Sequence, residues 1–233
     1  MTATYALADG VAVITMDDGK ANAVSLAMQQ ALNECLDRAD ADAAAVVLAG
    51  RPGMFSAGFD LKTISAGGQD AVDMLHGGLT LAIRLLTNPR PVVAACTGHA
   101  VAMGVFLLLS CDYRIGTNGS HRISANEVAI GMTMPHSTIE ILRQRVTPAA
   151  LNRAVLFAET FHAGNAIETG FLDEVIDEGD VLSRAVEHAS VLAALDARAH
   201  ATSKARLRAD TIRSIRDGLA LDDNDWKKLF LPS

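Results

Sequence analysis

The chain is 233 residues long, half of them hydrophobic and a fifth charged, which allows a large buried core and excludes an intrinsically disordered protein. Its formal net charge of −7 provides no overall basic surface of the kind that binds nucleic acid or anionic membrane. Because only 4% of the residues are aromatic, we expect a core built mainly from small aliphatic side chains.

The first half of the sequence alternates predicted strands with helical patterns. The apolar runs at 11–16, 46–49 and 92–96 indicate strands, because each is followed closely by a turn signal or a glycine. Ser25 is the predicted N-cap of a helix whose apolar positions recur at helical spacing, with polar residues such as Gln29 between them. Since two of the strands are apolar throughout and follow helical stretches, we predict a largely parallel sheet that is covered on both faces.

The second half of the sequence is predicted to be mostly helical. Helical patterns cover 71–87, 103–110, 137–145, 148–158 and 181–193, and strand signals disappear after about residue 181. The last segment is rich in basic residues, which we expect to form a solvated helical face, with a phosphate site as the alternative. These residues are Arg198, Lys204, Arg206, Arg208, Arg213 and Arg216.

Three features of the sequence bear on its compartment. The first residues lack the pattern of a secretory signal, and the longest apolar run, 100–109, is too short to span a membrane. Cys35, Cys96 and Cys111 are odd in number and show no paired spacing, which indicates reduced thiols and neither a disulfide framework nor a zinc site. We therefore expect a cytoplasmic protein that does not bind a membrane.

Two glycine-containing loops follow predicted strands. The loop at 50–62 places small residues around Gly58 between two phenylalanines, and the loop at 98–104 leads into an apolar helix. An ordinary turn is one interpretation of each loop. If the two strands are neighbours, however, one N–H group from each loop would surround a developing anion, with a helix dipole behind the second. This pattern predicts an oxyanion hole.

Several motifs in chain order identify a family resemblance. They are KANA at 20–23, FSAGFDLK at 55–62, the strand from Pro91 to Gly98, MG at 103–104, CDYRI at 111–115, and NE at 126–127 followed by Gly131. With these motifs, residues 1–230 resemble the crotonase, or enoyl-CoA hydratase/isomerase, superfamily. The resemblance implies an α/β fold with a spiral of β-β-α units over 1–180. It also implies a C-terminal helical region, 181–233, that packs at the interface of a homotrimer or a dimer of trimers.

The resemblance also implies a ligand and the residues that hold it. The ligand is an acyl-CoA thioester, which is the substrate, so no metal or redox cofactor is needed. The backbone amides of Phe59 and Met103 would bind the thioester oxyanion. The remaining predicted substrate contacts are Ala57 and Lys62 near the adenine of CoA, Ala21, Ala23 and Leu61 near the pantetheine arm, and Gly58, Asp60 and Gly104.

One position separates the reactions of this superfamily. Members that hydrate an enoyl thioester generally use two glutamates, which would align at Phe106 and Glu127, and here only Glu127 is present. Hydration must orient and deprotonate a water and protonate the α-carbon, whereas a 1,3-proton shuttle needs a single carboxylate. The pattern is most similar to mitochondrial-type Δ3,Δ2-enoyl-CoA isomerases. We therefore predict an enzyme of fatty-acid metabolism that converts 3-enoyl-CoA to trans-2-enoyl-CoA, with Glu127 as its acid and base.

Two alternatives remain open from the sequence. The first is an enoyl-CoA hydratase or another lyase, because a fold does not determine a reaction. The second is a weakly active acyl-CoA-binding or scaffold protein, since Met103 replaces the usual glycine and its side chain affects the aim of the amide. Core packing is an equal interpretation of Met103 and Phe106. If Glu127 does not carry the proton, the next candidates are His99, His136 and Glu140.

Overall fold

The computed structural model describes residues 2–232, so Met1 and Ser233, the outer ends of the two predicted regions, lie outside the described residues. The strands in this part of the chain are β1 (Ala3–Ala8), β2 (Val11–Met16), β3 (Ala45–Ala49), β4 (Gly53–Ser56), β5 (Val92–Cys96), β6 (Gly98–Val101), β7 (Tyr113–Thr117), β8 (Ile123–Ser124) and β9 (Glu174–Ile176).

The helices occupy most of the remaining sequence. They are α1 (Leu26–Asp42), α2 (Leu61–Ala66), α3 (Gly68–Thr87), α4 (Met103–Ser110), α5 (His136–Arg143), α6 (Pro148–Phe157), α7 (Ala163–Thr169), α8 (Val181–Ala193) and α9 (Ala197–Phe230), with short 3-10 turns at Val128–Ile130 and Glu178–Asp180. Ser25 caps α1, because its side chain accepts a hydrogen bond from the Met28 N–H. The predicted N-cap is therefore confirmed.

The main sheet has the strand order β1-β2-β3-β5-β7-β9, and all its pairs are parallel except β1 with β2. β3 and β5 are buried at every position. Val46 and Leu48 belong to the larger core cluster, which includes apolar residues of α1 and α3, whereas Val47 and Ala49 pack in a second cluster with Ala185 of α8. The predicted parallel sheet with two covered faces is confirmed.

The element order repeats a β-β-α unit along the chain. β1-β2-α1, β3-β4 with α2 and α3, β5-β6-α4, and β7-β8 with α5 follow one another. The second strands of the last three units form a separate parallel sheet in the order β4-β6-β8. Each of these three units therefore contributes one strand to the second sheet. The loops at the carboxyl ends of these strands carry the candidate site.

The long helix α9 packs against α3 and α5 of its own chain. Two of its basic residues are buried and share one partner: Lys204 Nζ lies 2.6 Å from Asp112 Oδ2, and Arg208 Nη2 lies 2.8 Å from Asp112 Oδ1. The expected solvated face is therefore wrong at these two positions. It is found at the exposed residues Arg198, Arg206, Arg213 and Arg216.

Two further sequence expectations can be compared with the described residues. Within 2–232, no helix combines the length and the hydropathy that crossing a membrane requires. Cys35, Cys96 and Cys111 are free thiols, and all three are buried. They are unpaired in the described residues, while their reduced state in the cell stays a prediction.

Candidate active site

Three loops that carry predicted site residues meet at one edge of the second sheet. Gly58 and Phe59 follow β4, Met103 follows β6, and Glu127 follows β8. These three strands are parallel neighbours. Because the carboxyl ends of parallel strands open at the same edge of a sheet, the fold places two loop amides and one carboxyl group together.

Gly58 lies against the N-terminus of α4. Its φ is +94°, and a Cβ at this position would lie 3.2 Å from the Met103 nitrogen and 2.8 Å from the Cβ of Ala102. Only glycine permits both this conformation and this approach. The two loops are therefore direct neighbours, as the predicted oxyanion hole requires.

The peptide group between Gly58 and Phe59 is held by a hydrogen bond to its carbonyl oxygen. The Gly58 carbonyl accepts a hydrogen bond from the Val24 N–H at 2.8 Å. No cis peptide bond occurs in residues 2–232, so the Phe59 N–H points away from that carbonyl. In the same part of the chain, no protein group accepts a hydrogen bond from the Phe59 N–H. This donor is therefore oriented and available.

The second donor is the N–H of Met103, the first residue of α4. N–H groups in a first helical turn lack helical acceptors and form the positive end of the helix dipole. The preceding residue, Ala102, provides no side-chain cap and has φ 49° and ψ −124°, a strained conformation that costs about 1–3 kcal/mol. The Met103 side chain is fully buried in the core, which agrees with the core-packing interpretation.

A loop from the first β-β-α unit clamps the loop that carries Phe59. The Asn22 side chain donates to the carbonyls of Met16 at 2.9 Å and Phe55 at 3.1 Å. The Ser56 hydroxyl donates to the Asn22 carbonyl at 2.7 Å, and the Gly58 N–H donates to Ser56 Oγ at 3.2 Å. Neither polar side chain has a role predicted from the sequence. Their position within apolar stretches is the signal that could have identified them.

Glu127 is the buried carboxyl group of the site, with 7% of its surface exposed. Its Oε2 atom is buried, and no group within residues 2–232 forms a hydrogen bond with it. Burial raises its pKa from 4.5 to about 7, because the charged form loses hydration and no neighbouring cation compensates. A carboxyl group with this pKa can accept and return a proton near neutral pH.

Phe106, which the family resemblance aligns with the second glutamate of hydratases, is 1% exposed within α4. Glu140 lies on α5 and pairs with Arg143, with 3.1 Å between Arg143 Nε and Glu140 Oε1. His99 Nδ1 accepts a hydrogen bond from the Arg122 N–H at 2.9 Å, and burial lowers the pKa of its ring. His136 is exposed at the start of α5. Three residues are predicted to carry the proton if Glu127 does not. Two of them, His99 and Glu140, thus have a hydrogen-bond or ion-pair partner within the protein.

The residues predicted to contact CoA lie on two loops that are hydrogen-bonded to each other and on the first turn of α2. The Ala57 N–H donates to the Ala21 carbonyl at 2.9 Å. Ala57, Leu61 and Lys62 are exposed, and Ala21 and Ala23 are partly exposed. These positions form one accessible surface, while their role in binding stays a prediction.

Asp60 and Gly104 have structural contacts in addition to their predicted role. The Asp60 carboxylate caps α2 and accepts a hydrogen bond from Thr63 Oγ1 at 2.8 Å, which lowers its pKa. Gly104 lies against the Ser56 carbonyl, and a Cβ at Gly104 would overlap it. Both residues therefore help to shape the loops around the two amides.

A cavity of about 460 Å³ lies between α9 and the segment that follows Glu127. The segment follows Glu127 directly in the chain, and its Met132 N–H donates to the backbone carbonyl of Glu127 at 2.9 Å. The walls of the cavity are largely apolar and include Met132, Met134, Trp226, Leu229 and Phe230. An apolar cavity of this kind suits a hydrocarbon group.

Comparison with known families gives a match over nearly the whole chain. Residues 7–231 match the family described as "Enoyl-CoA hydratase/isomerase". The human mitochondrial protein named enoyl-CoA delta isomerase 1 is 29% identical over 213 residues, which cover 87% of this chain and 68% of the human protein.

Solved structures show the same fold at higher identity. An enoyl-CoA hydratase from Mycobacterium marinum is 46% identical with a TM-score of 0.93, covering 99% of this chain and 100% of that one. A Mycobacterium tuberculosis protein described as an enoyl-CoA isomerase is 49% identical with a TM-score of 0.91, covering 94% and 96%. The predicted crotonase-like α/β fold is confirmed. Some of these proteins are named as hydratases and others as isomerases.

Proposed function

The chain belongs to the enoyl-CoA hydratase/isomerase family, and from this premise we propose that it is an isomerase. It moves the double bond of a 3-enoyl-CoA ester to the trans-2 position through a thioester enolate. The observation that carries this proposal is the buried carboxyl group of Glu127, with Phe106 at the position that the family resemblance aligns with a second glutamate.

The proposed reaction transfers one proton within the substrate. The Glu127 carboxylate removes a proton from C2, and the electron pair of that C–H bond moves into the thioester to form an enolate. The N–H groups of Phe59 and Met103 donate hydrogen bonds to the enolate oxygen. The protonated Glu127 then returns the proton to C4, while the double bond shifts from C3–C4 to C2–C3. The atoms balance without a water, a metal or a redox cofactor.

The electrostatics of the site support a shuttle of this kind. A pKa of about 7 leaves Glu127 partly ionised at neutral pH, so it can act as a base and then as an acid. Its Oε2 atom has no protein partner that would hold it in one orientation. Two other acidic side chains have hydrogen-bond partners of their own: Asp60 caps α2, and Asp222 accepts hydrogen bonds from the N-terminus of α5.

The proposed binding mode divides the substrate between two surfaces. The CoA moiety contacts the accessible surface formed by Ala21, Ala23 and Ala57 of the two loops and by Leu61 and Lys62 of α2. The acyl tail occupies the apolar cavity between α9 and the segment after Glu127. The thioester lies between them, at the two amides.

We also propose the assembly and location that the family resemblance implies. The chain forms a homotrimer or a dimer of trimers in the cytoplasm and acts on fatty acyl-CoA esters, without nucleic acid or membrane as a partner. Sedimentation at micromolar concentration tests the assembly. A trimer or hexamer is expected, and a monomer would contradict it.

Incubation with 3-hexenoyl-CoA and trans-2-hexenoyl-CoA tests the reaction. An isomerase gives a product of unchanged mass from the 3-enoyl ester, with the new double bond seen by proton NMR. A product heavier by one water from the 2-enoyl ester would identify a hydratase instead. Binding of both esters without turnover would show the acyl-CoA-binding alternative. Glu168→Gln is a suitable control for the Glu127→Gln variant, because Glu168 is an exposed carboxyl group on α7.

A further inference from the structure

Gln29 is a polar side chain buried inside the apolar face of α1, with 5% of its surface exposed. The helical pattern in the sequence places it among polar residues, and the structure corrects that placement. Its Nε2 group donates hydrogen bonds to two backbone carbonyls, Val24 at 3.1 Å and Met74 on α3 at 2.8 Å. Gln29 therefore ties the loop before α1 to α3.

One further hydrogen bond connects Gln29 and Val24 to the candidate site. Val24, whose carbonyl receives the Gln29 amide, donates its own N–H to the Gly58 carbonyl at 2.8 Å. The Gly58 carbonyl belongs to the same planar peptide group as the Phe59 N–H. The Val24 N–H therefore constrains the orientation of that peptide, and Gln29 is one of the contacts that constrain Val24.

α3 is shaped to receive both side chains. A Cβ at Gly77 would overlap Gln29 Oε1, and a Cβ at Gly78 would overlap the edge of the Phe59 ring. Two adjacent glycines within a helix reduce its stability relative to alanine. At this point they make room for the Gln29 amide and the Phe59 ring on one helix surface.

We propose that Gln29 is a positioning residue for the oxyanion donor at Phe59. It acts through Val24 and the Gly58 carbonyl, and it touches neither substrate nor reacting atoms. This inference rests on the proposed function, because the direction of the Phe59 N–H matters when that group binds a thioester oxygen. A small error in the aim of such a donor lowers the rate while leaving most of the binding surface intact.

The test replaces Gln29 with methionine, which keeps the length and most of the volume but has no hydrogen-bond donor. Butyryl-CoA labelled with carbon-13 at the thioester carbonyl is the probe, because it is saturated and has no double bond to shift. Hydrogen bonds to that carbonyl lower its infrared stretching frequency. We expect the shift on binding to be smaller in Gln29→Met than in the wild type. We also expect kcat with 3-hexenoyl-CoA to fall about 10- to 100-fold with a much smaller change in KM.

Gln30→Met is the matched control, because Gln30 is the next residue of α1, is exposed and bonds the Glu34 side chain. It should retain the wild-type infrared shift and kcat. If Gln29→Met does not fold, Gln29→Glu is measured instead. A protonated glutamate at this site provides one donor, so a shift between those of the wild type and the unbound ester is expected.

The outcomes separate this inference from the proposed function. A folded Gln29 variant with the wild-type carbonyl shift and kcat overturns the positioning role alone. If butyryl-CoA shows no carbonyl shift in the wild type, the oxyanion hole itself is wrong, and both proposals fail. A wild-type shift without isomerisation would reject the proposed reaction while the variants still test the role of Gln29.

Discussion

The backbone nitrogen of Met103 lies 3.2 Å from the point that a Cβ on residue 58 would occupy, and Gly58 is the residue that permits this contact. The contact brings the start of α4 against the loop after β4. It therefore fixes the distance between the two proposed oxyanion donors, the amides of Phe59 and Met103. The arrangement depends on backbone geometry, so the buried Met103 side chain does not remove the donor.

Gly58→Ala is expected to lower kcat by about 100-fold or more, because the new Cβ would push the two loops apart and misdirect at least one donor. The added methyl group meets the Ala102 Cβ at 2.8 Å and the Val101 carbonyl oxygen at 3.0 Å. Steady-state kinetics with 3-hexenoyl-CoA measure the loss, and circular dichroism shows whether the variant is folded.

Gly53→Ala is the control for backbone strain. Gly53 also has a positive φ, +77°, but a Cβ there meets no atom within 4 Å. It should be destabilised to a similar degree by the backbone conformation and should keep its kcat. Equal losses of kcat in both variants would show that strain, and not the contact between the loops, explains the result.

The raised pKa of Glu127 predicts that this residue reduces stability at high pH. Its pKa is about 7 in the folded chain and near 4.5 when exposed. The folded state therefore binds more protons between these values, and the stability contributed by the neutral carboxyl group is lost as the pH rises from 4.5 through 7. Glu127→Gln stays neutral, so above pH 8 it should be more stable than the wild type, by up to about 3 kcal/mol.

Urea denaturation at pH 4 and pH 8 measures this difference. The advantage of Glu127→Gln should be small at pH 4 and should appear at pH 8. Glu168→Gln, which changes an exposed carboxyl group, should show no such dependence. An equal effect of Glu127→Gln at both pH values would mean that the Glu127 carboxyl group is not desolvated.

Much of the main sheet could be predicted from the sequence. β2, β3 and β5 are apolar runs without an exposed face, and α4 and α8 have the predicted bounds. The second sheet was not predicted. β4 and β6 are four residues long and begin with glycine, so they are too short to show the pattern that indicates a strand. Their pairing depends on the spiral of repeated units.

The candidate site was predicted from motifs, and its supporting contacts were not. Phe59, Met103 and Glu127 follow from the family resemblance. The burial of Gln29 could not be read from α1, because its partners Val24 and Met74 are backbone carbonyls. The pairs of Asp112 with Lys204 and Arg208 join residues that are far apart in the sequence, so the local pattern alone indicated a solvated face.

Lys62→Glu is expected to weaken the binding of CoA esters about 5- to 20-fold at low salt, because a phosphate-rich ligand loses an attraction and gains a repulsion. Lys62 is exposed in α2, directly after the proposed site loop. The effect should shrink at high salt, and kcat should change little. Arg206→Glu makes the same charge change on the exposed face of α9 and is the control. Equal binding constants for Lys62→Glu and the wild type at low salt would remove Lys62 from the site.

The rate at which Glu127→Gln isomerises 3-hexenoyl-CoA tests the central claim most directly. Glutamine keeps the size of the side chain but cannot accept the C2 proton, so the rate should fall about 10³-fold or more while the affinity for the CoA ester is retained. In deuterated water, NMR should show exchange of the C2 protons in the wild type and none above background in the variant. If Glu127→Gln isomerises the ester and exchanges its C2 protons at wild-type rates, Glu127 does not carry the proton.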